Sequence, residues 1–133
     1  MAQAKARVVV SLVENDGKVL LIHRRNPEHG LGWTFPGGKV EDRESEKAAT
    51  RREVMEEVGI ACRPTRKLGQ RRHPDTGSVI SYWVCQYQGG EPRVVEEDKF
   101  DQVAWMAPEE FLRAVTTDVS PFVRDYLTSL QVE

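Results

Sequence analysis

Residues 38–60, GKVEDRESEKAATRREVMEEVGI, are the most informative part of this chain, because glutamates, an arginine and two glycines stand in them at fixed spacing. Glu53, Glu56 and Glu57 occupy positions i, i+3 and i+4, so a helix would place their carboxylates on one face. Like charges at that spacing repel by about 0.2–0.5 kcal/mol per pair on an isolated helix. Such crowding is typical of a helix that binds divalent cations.

The residues around this cluster favour phosphate chemistry. Mg²⁺ takes oxygen ligands, and one or two carboxylates per ion together with phosphate oxygens form its usual site. Gly37 and Gly38 precede the predicted helix, where they allow a tight turn and a close approach of the backbone to a ligand. Arg52 would orient the carboxylates or brace the preceding loop. Residues 52–59 alone also fit a solvated glutamate-rich helix. The full pattern has seven specified positions, and its probability of arising by chance is on the order of 10⁻⁸ per window. These positions are Gly38, Glu44, Arg52, Glu53, Glu56, Glu57 and Gly59.

Composition limits the remaining classes of function. The chain has 133 residues, of which 39% are apolar and 30% charged, as in an ordinary globular domain. Its formal charge of −2 provides no net positive charge to attract nucleic acid or an anionic membrane. Cys62 and Cys85 show no CxxC spacing, which favours structural thiols over a disulfide or metal site. Residues 1–5 lack a signal-peptide core, and no apolar run of about 20 residues is present to span a membrane. A cytoplasmic location is expected.

The elements outside the motif alternate between strands and helices. β-branched residues 6–13 end at an Asn-Asp-Gly turn, which predicts a hairpin with residues 18–23 as the return strand. Further strands are expected at residues 33–35, stopped by the glycines after Pro36, and at residues 66–72, 79–87 and 102–106. Helices are expected to open at Pro108 and Pro121. This mixture predicts an α+β fold rather than a doubly wound sheet.

The helix of the motif has clear ends. Ser45 is a good N-cap, and Gly59 suits a left-handed C′ position after Val58. A capping box is absent, since the third residue after Ser45 is Ala48. The apolar positions of the helix are Ala48, Ala49, Val54, Met55 and Val58.

With these residues in view, the chain resembles the Nudix hydrolases. Residues 38–60 fit the family signature G-x5-E-x7-R-E-U-x-E-E-x-G-U at every specified position, with Val54 and Ile60 as the bulky aliphatics. Residues 33–41 (WTFPGGKVE) look like the usual lead-in, and residues 18–25 (KVLLIHRR) look like the strand two steps earlier. The size and element order resemble the MutT-like branch.

The resemblance implies a Nudix α/β/α sandwich with a mixed sheet, as a single domain over residues 1–133. It also implies Mg²⁺- or Mn²⁺-assisted hydrolysis of a nucleoside diphosphate linked to a group X. Carried over by position, Glu53, Glu56 and Glu57 are metal ligands, and Glu53 is one candidate for the general base. A backbone carbonyl near Gly37 or Gly38 adds a ligand in this reading.

Further site residues follow from the same resemblance. Glu44 and Arg52 would support the site through hydrogen bonds. Residues 96–99 (EEDK) resemble a family element that precedes a strand ending in Trp, here Trp105, which makes Glu96 a further candidate ligand or base. A solvated acidic loop is the alternative for that segment. The family usually has glycine before Glu44, whereas this chain has Arg43, which would strain the turn if φ is positive there.

The substrate-contacting residues are less sharply defined. Arg24 is a candidate phosphate ligand, with a surface salt bridge as the alternative, and Lys39 is a candidate substrate contact. Phe35 or Trp33 would hold the base, and the other would belong to the core. His73 lies in a His-Pro-Asp-Thr-Gly turn that needs no ligand to explain it.

The implied ligand is a small nucleotide rather than a nucleic acid polymer or a membrane, and the protein is expected to be a monomer or homodimer. A nucleoside triphosphate, with oxidised forms such as 8-oxo-dGTP among the candidates, would give monophosphate plus pyrophosphate. An ADP-ribose or nucleotide-sugar pyrophosphatase is the alternative within enzymes. A non-catalytic Nudix module that senses a ligand is the alternative outside them.

Overall fold

The computed structural model describes residues 6–26, 32–114 and 119–130. No helix in these ranges is long and apolar enough to cross a membrane. The elements in chain order are β1 (Arg7–Asn15), β2 (Lys18–Arg24), β3 (Trp33–Thr34), β4 (Gly37–Lys39), α1 (Glu46–Val58), β5 (Ala61–Arg72), β6 (Val79–Gly89), β7 (Phe100–Met106), α2 (Pro108–Ala114) and α3 (Pro121–Ser129).

The strands form one mixed sheet in the order β3-β2-β1-β6-β5, with β4 pairing to β1 and β7 pairing to β2. β1 runs parallel to β6 along most of its length and antiparallel to its other partners. β1 and β2 pair directly only at their hairpin end, through Glu14 with Val19 and Asn15 with Lys18. Beyond that point β1 pairs with β4 while β2 pairs with β3 and β7, so the sheet divides and leaves a cleft.

Two apolar clusters lie on opposite faces of this sheet. One cluster joins Leu12 and Leu21 to Phe111 of α2 and Leu127 of α3. The other cluster joins alternate residues of the same strands to Val54 and Val58 of α1. One helix therefore covers one face and two helices cover the other, which confirms the predicted α+β sandwich.

The β1–β2 hairpin is formed as predicted. Asp16 and Gly17 have φ angles of 51° and 78°, the left-handed pair that a type I′ turn requires. Both conformations are accessible to Asp and Gly at little steric cost. The strands that flank the turn therefore meet in a defined register.

Some strand boundaries were wrong. Gly37 and Gly38 were expected to end a strand, but they form β4 with Lys39 and pair with Val8–Val10 of β1. A Cβ atom at Gly37 would lie 2.3 Å from the carbonyl oxygen of Val9, so only glycine allows this close approach. β5 begins at residue 61 rather than 66, because it is an edge strand that accommodates Pro64 through a register shift.

Two apolar residues of α1 do not join the core. Ala48 is exposed, and Met55 is 49% exposed. Thr50 and Glu57 are instead among the residues on the buried face, together with Ala49, Val54 and Val58. The helix is therefore rotated so that Glu57 points toward the sheet and Glu53 is half-buried, whereas Glu56 stays exposed.

Glu46, the first residue of α1, connects the helix to the sheet. Its carboxylate accepts hydrogen bonds from Ser81 at 3.0 Å and from the Trp83 indole at 2.9 Å. It also forms ion pairs with Arg7 and Lys67, both at 3.1 Å. Burial raises the pKa of Glu46, but the hydrogen bonds from Trp83, Arg7, Lys67 and Ser81 outweigh burial and lower the pKa to about 2.

Replacing Glu46 with glutamine is expected to lower the free energy of unfolding by about 1–3 kcal/mol at pH 7, because charge-assisted hydrogen bonds are lost. The folded-state pKa lies below the ordinary value of 4.5, so this stabilisation is present above pH 4.5 and is lost as pH falls toward 2. Urea denaturation at pH 7 and pH 3 measures both effects. Glu91→Gln, a change at an exposed glutamate, is the control. A Glu46 variant as stable as Glu91→Gln would contradict this role.

Candidate active site

The loop that leads into α1 is held by hydrogen bonds from backbone N–H groups to its own side chains. Ser45 accepts a hydrogen bond from the Ala48 N–H at 3.0 Å, which confirms it as the N-cap. The Glu41 N–H donates to the Glu44 carboxylate at 2.9 Å, closing the turn that precedes the helix. Arg43 has a φ of 66°, so the departure from glycine does place a side chain in the left-handed region. At the other end, Gly59 has a φ of 71°, as predicted, and its N–H donates to the Met55 carbonyl.

Arg52 binds this loop to the helix. Its guanidinium contacts both carboxylate oxygens of Glu44, at 2.8 and 2.9 Å, in a bidentate pair. The same guanidinium donates to the Lys39 carbonyl at 2.9 Å and forms an ion pair with Glu41 at 3.0 Å. The Arg52 hydrogen bonds, with that from the Glu41 N–H, lower the pKa of Glu44 to about 2. Glu44 and Arg52 therefore fix the position of β4 relative to α1.

Arg52 also offsets the repulsion within the carboxylate cluster. Its Nη1 lies 2.9 Å from Glu53 and 3.3 Å from Glu56. A positive charge between Glu53 and Glu56 adds one attractive contact to each carboxylate, and these contacts offset the repulsion between the two. The hydrogen bonds with Glu44, followed by the contacts with Glu53 and Glu56, raise the pKa of Arg52 above its usual value, although burial opposes the rise.

Glu57 is the most enclosed carboxylate of the cluster. It is 6% exposed, and its Oε1 accepts the Gly37 N–H at 2.8 Å. Burial raises its pKa to about 8, with the nearby charges of Glu53 and Glu96 adding to the rise and the Gly37 hydrogen bond opposing it. Without a compensating cation this group is protonated at neutral pH.

Glu53 lies against the backbone of β4. A Cβ atom at Gly38 would come within 2.4–2.6 Å of the Glu53 carboxylate, so glycine is needed for that carboxylate to sit there. Burial raises the pKa of Glu53, Arg52 lowers it, and the charges of Glu56 and Glu96 raise it. Glu53 and Glu57 therefore point at the two glycines of β4.

Glu96 is held near these carboxylates by backbone contacts of its loop. The Arg93 N–H donates to the Val58 carbonyl at 3.0 Å, and the Val95 N–H donates to the Glu57 carbonyl at 3.1 Å. The Glu96 carbonyl then accepts the N–H groups of Lys99 and Phe100, both at 3.0 Å. The bonds from Arg93 and Val95 satisfy carbonyls at the end of α1. They also bring Glu96 close enough for its charge to raise the pKa values of Glu53 and Glu57.

The cleft between the divided strands forms a cavity of about 190 Å³ beside the cluster. Glu57, Gly38, Arg24 and Phe35 are among the residues that line it. Phe35 also packs on Phe111 with ring centroids 4.8 Å apart, so it belongs both to the cavity wall and to the core. A larger hollow of about 390 Å³ between β5 and α3 is lined by residues outside the motif, one of which, Lys67, forms an ion pair with Glu46.

Other predicted residues contribute less directly. Lys39 has an exposed side chain, and its carbonyl is bound by Arg52. Trp33 packs edge-on against His23 with ring centroids 5.0 Å apart. The His73 Nδ1 accepts the N–H groups of Asp75 and Thr76, which accounts for this histidine by its turn.

Several residues at the site were not predicted from the sequence. Arg25 donates from its backbone N–H to the Lys99 carbonyl and from its Nε to the Glu97 carbonyl, both at 2.8 Å. Lys99 forms an ion pair with Glu96 at 3.6 Å. The sequence offered one signal for Arg25. It is the second of two consecutive basic residues, Arg24-Arg25, and it falls after the predicted strand at residues 18–23, so the strand pattern does not explain it.

The carboxylate cluster fits a divalent cation by its chemistry. Within the described ranges, no three acidic, histidine or cysteine side chains already converge as a metal shell, since Arg52 contacts Glu53 and Glu56 instead. The donors are carboxylates and backbone carbonyls, which are the oxygen ligands that Mg²⁺ and Mn²⁺ prefer. Glu57 is buried, Glu53 is half-buried, and the pKa values of both are raised by burial, so a cation would relieve the cost of ionising them.

Comparison with known proteins places this site in a family. The NUDIX domain description matches residues 3–126. The chain belongs to the Nudix family. It is 32% identical over 111 residues to a CTP pyrophosphohydrolase of Escherichia coli, covering 80% of this chain and 78% of that protein. Its Nudix domain and its similarity to a pyrophosphohydrolase show that this protein is a hydrolase that acts on pyrophosphate bonds.

Two further comparisons extend the likeness. An ADP-ribose pyrophosphatase of Methanocaldococcus jannaschii is 35% identical over 98 residues, which are 71% of this chain and 58% of that protein. The crystal structure of a MutT NUDIX hydrolase from Burkholderia pseudomallei superposes with a TM-score of 0.74 and 26% identity, covering 98% of this chain and all of that one. The predicted resemblance to MutT-like Nudix hydrolases is thereby confirmed.

Proposed function

We propose that this Nudix hydrolase converts nucleoside triphosphates to nucleoside monophosphate and pyrophosphate with the help of Mg²⁺ or Mn²⁺. The observation that carries the proposal is the cleft whose lining includes buried Glu57, Arg24 and Phe35. An acidic group that holds cations, a basic group and an aromatic wall suit a phosphate chain attached to a nucleobase. The E. coli relative named as a CTP pyrophosphohydrolase supports a triphosphate substrate.

The residues that would hold the cations are the carboxylates of Glu53, Glu56, Glu57 and Glu96 and the carbonyl of Gly38. A bound cation supplies neutralisation of phosphate charge, polarisation of the phosphorus–oxygen bond and a lowered pKa for a coordinated water. Arg52 is a positioning residue in this proposal, because it contacts both Glu53 and Glu56.

The other residues bind the substrate and move a proton. Arg24 contacts the phosphate chain and Phe35 packs on the nucleobase. The exposed Lys39 side chain, which is not part of the cleft lining, binds phosphate oxygens from the solvent side. Glu53 or Glu96 accepts the proton of the attacking water. The water oxygen forms a bond to one phosphorus, the anhydride phosphorus–oxygen bond breaks, and pyrophosphate leaves with the bonding electron pair.

Product analysis tests the proposal. The purified protein is incubated with triphosphates, including CTP and 8-oxo-dGTP, and with ADP-ribose and nucleotide sugars, in Mg²⁺, in Mn²⁺ and in EDTA. Monophosphate and pyrophosphate in equal amounts from a triphosphate, abolished by EDTA, are expected. Turnover confined to ADP-ribose or a nucleotide sugar, giving two monophosphates, would replace the triphosphate with the second candidate, which the Methanocaldococcus relative favours. A panel without turnover would leave a ligand-sensing module.

The remaining expectations stay predictions. They are a single domain over residues 1–133, a monomer or homodimer, a cytoplasmic location, and a substrate that is a small nucleotide rather than a nucleic acid polymer.

A further inference from the structure

A second cavity of about 260 Å³ adjoins the catalytic cleft. The described residues that line it are Arg24, Asn26, Asp98, Lys99 and Phe100. Arg24 and Phe100 also line the cleft that contains Glu57, so the two cavities share a wall. An extended ligand seated beside Glu57 would reach the second cavity by passing Arg24, which borders both cavities.

The contacts between β2 and β7 fix the shape of this cavity. Arg24 pairs with Phe100 in the β2–β7 register, which shifts between His23 and Arg24. Beyond that pair, Arg25 bonds the carbonyls of Lys99 and Glu97 at 2.8 Å each. Arg25 therefore holds the loop so that Arg24 and Lys99 border one space.

The two cavities differ in chemistry. The catalytic cleft has apolar walls at Val8, Val10 and Phe35, which suit a nucleoside. Of the five described residues around the second cavity, Arg24 and Lys99 are cations and one residue, Asp98, is an acid. This formal excess of positive charge stands out in a chain of net charge −2, and it favours an anionic ligand.

We propose that Arg24 and Lys99 form a subsite for the terminal phosphates of a nucleoside triphosphate, the part that leaves as pyrophosphate. The inference rests on the proposed function, because the reacting phosphate is placed beside Glu57. The Lys99 side chain is 61% exposed and its ion pair with Glu96 is 3.6 Å long, so this ion pair holds the ammonium only weakly. It is free to turn toward phosphate oxygens.

The subsite would also set specificity. A triphosphate presents charged phosphates to Lys99, whereas a sugar-linked diphosphate presents a neutral group. A cation that meets no anion gives no charge-assisted bond, so Lys99 favours substrates with an unsubstituted phosphate end. Lys99 is thus a specificity-determining residue in a reaction whose bond cleavage is carried out elsewhere.

The test measures binding of the two products by calorimetry at a fixed Mg²⁺ concentration. Lys99→Gln is expected to weaken binding of inorganic pyrophosphate about 10-fold, with a smaller effect on the nucleoside monophosphate. Lys99→Arg should restore most of the affinity, and Asp98→Asn should tighten pyrophosphate binding. Lys18→Gln, at an exposed position at the other end of β2, should bind both products like the parent.

Kinetics separate the subsite from an effect through Glu96. Lys99→Gln should raise KM for the triphosphate more than it lowers kcat. Unchanged pyrophosphate affinity, or a fall in kcat alone, would overturn the subsite while leaving the hydrolase proposal intact. Loss of pyrophosphate affinity in a protein that turns over no triphosphate would instead refute the proposed function and uphold the anion site.

Discussion

Replacement of Glu57 by glutamine is expected to lower turnover at least about 100-fold, because the change removes one ligand charge while it keeps the shape of the side chain. The Gly37 N–H can still donate to the amide oxygen, so β4 should stay in place. Steady-state kinetics with the best substrate, together with Mn²⁺ titration of each protein, measures the effect. Weaker metal binding should accompany the loss of turnover.

The matched control for this change is Glu91→Gln, which removes one negative charge from an exposed glutamate outside the motif. It should leave turnover and metal affinity unchanged. If Glu57→Gln were as active as Glu91→Gln, the carboxylate cluster would have no part in the mechanism.

The same variant should alter how the metal-free protein responds to pH. Burial raises the pKa of Glu57 from 4.5 to about 8, so the folded state keeps a proton that the unfolded chain releases. Stability is therefore full below pH 4.5 and falls as pH rises toward 8. In EDTA, urea denaturation at pH 5.5 and pH 8 should show a steeper loss for the parent than for Glu57→Gln. Equal slopes would contradict the assignment.

Gly38→Ala is expected to lower turnover about 100-fold with little loss of stability. The new methyl group would lie 2.4 Å from the carboxyl carbon of Glu53, so the carboxylate must move away from its place beside β4. A displacement of about 1 Å in a reacting group can cost two orders of magnitude in rate. The end of a glutamate side chain can rotate aside, so the free energy of unfolding should change by less than about 1 kcal/mol. Kinetics and urea denaturation of one preparation test both parts.

Gly37→Ala provides the contrast. There the methyl group would lie 2.3 Å from the Val9 carbonyl oxygen, which belongs to the backbone of β1 and cannot rotate aside. Destabilisation by about 1–3 kcal/mol or more is expected, as for other overpacked sites. If the two alanine variants lost stability equally, the distinction between a movable side chain and a fixed backbone would be wrong.

Local sequence signals predicted the elements whose causes are local. Ser45 and Gly59 mark the ends of α1 through capping geometry that depends on neighbouring residues alone. The Asn-Asp-Gly turn likewise specifies the β1–β2 hairpin. Glu53, Glu56 and Glu57 were found because their spacing places them on one face of a helix, and Glu44 and Arg52 because they occupy specified positions of the Nudix signature.

Features that depend on distant partners were not predicted. β4 consists of two glycines and Lys39, which carry no strand propensity, and it exists because β1 lies beside it. The contact of Arg25 with the 96–99 loop joins residues far apart in the chain. Met55 was apolar in the pattern yet is exposed, because it lies off the face of α1 that Ala49, Val54 and Val58 bury against the sheet.

The hydrogen bond from the Val95 N–H to the Glu57 carbonyl attaches the connection after β6 to the helix that carries the carboxylate cluster. Glu96 is the next residue along the chain, so its distance from Glu57 is set by backbone length. An insertion there would separate two acidic groups even if every side chain were retained. The length of this connection is therefore as restricted as the spacing of the glutamates in α1, whereas the 73–77 turn lies outside that constraint.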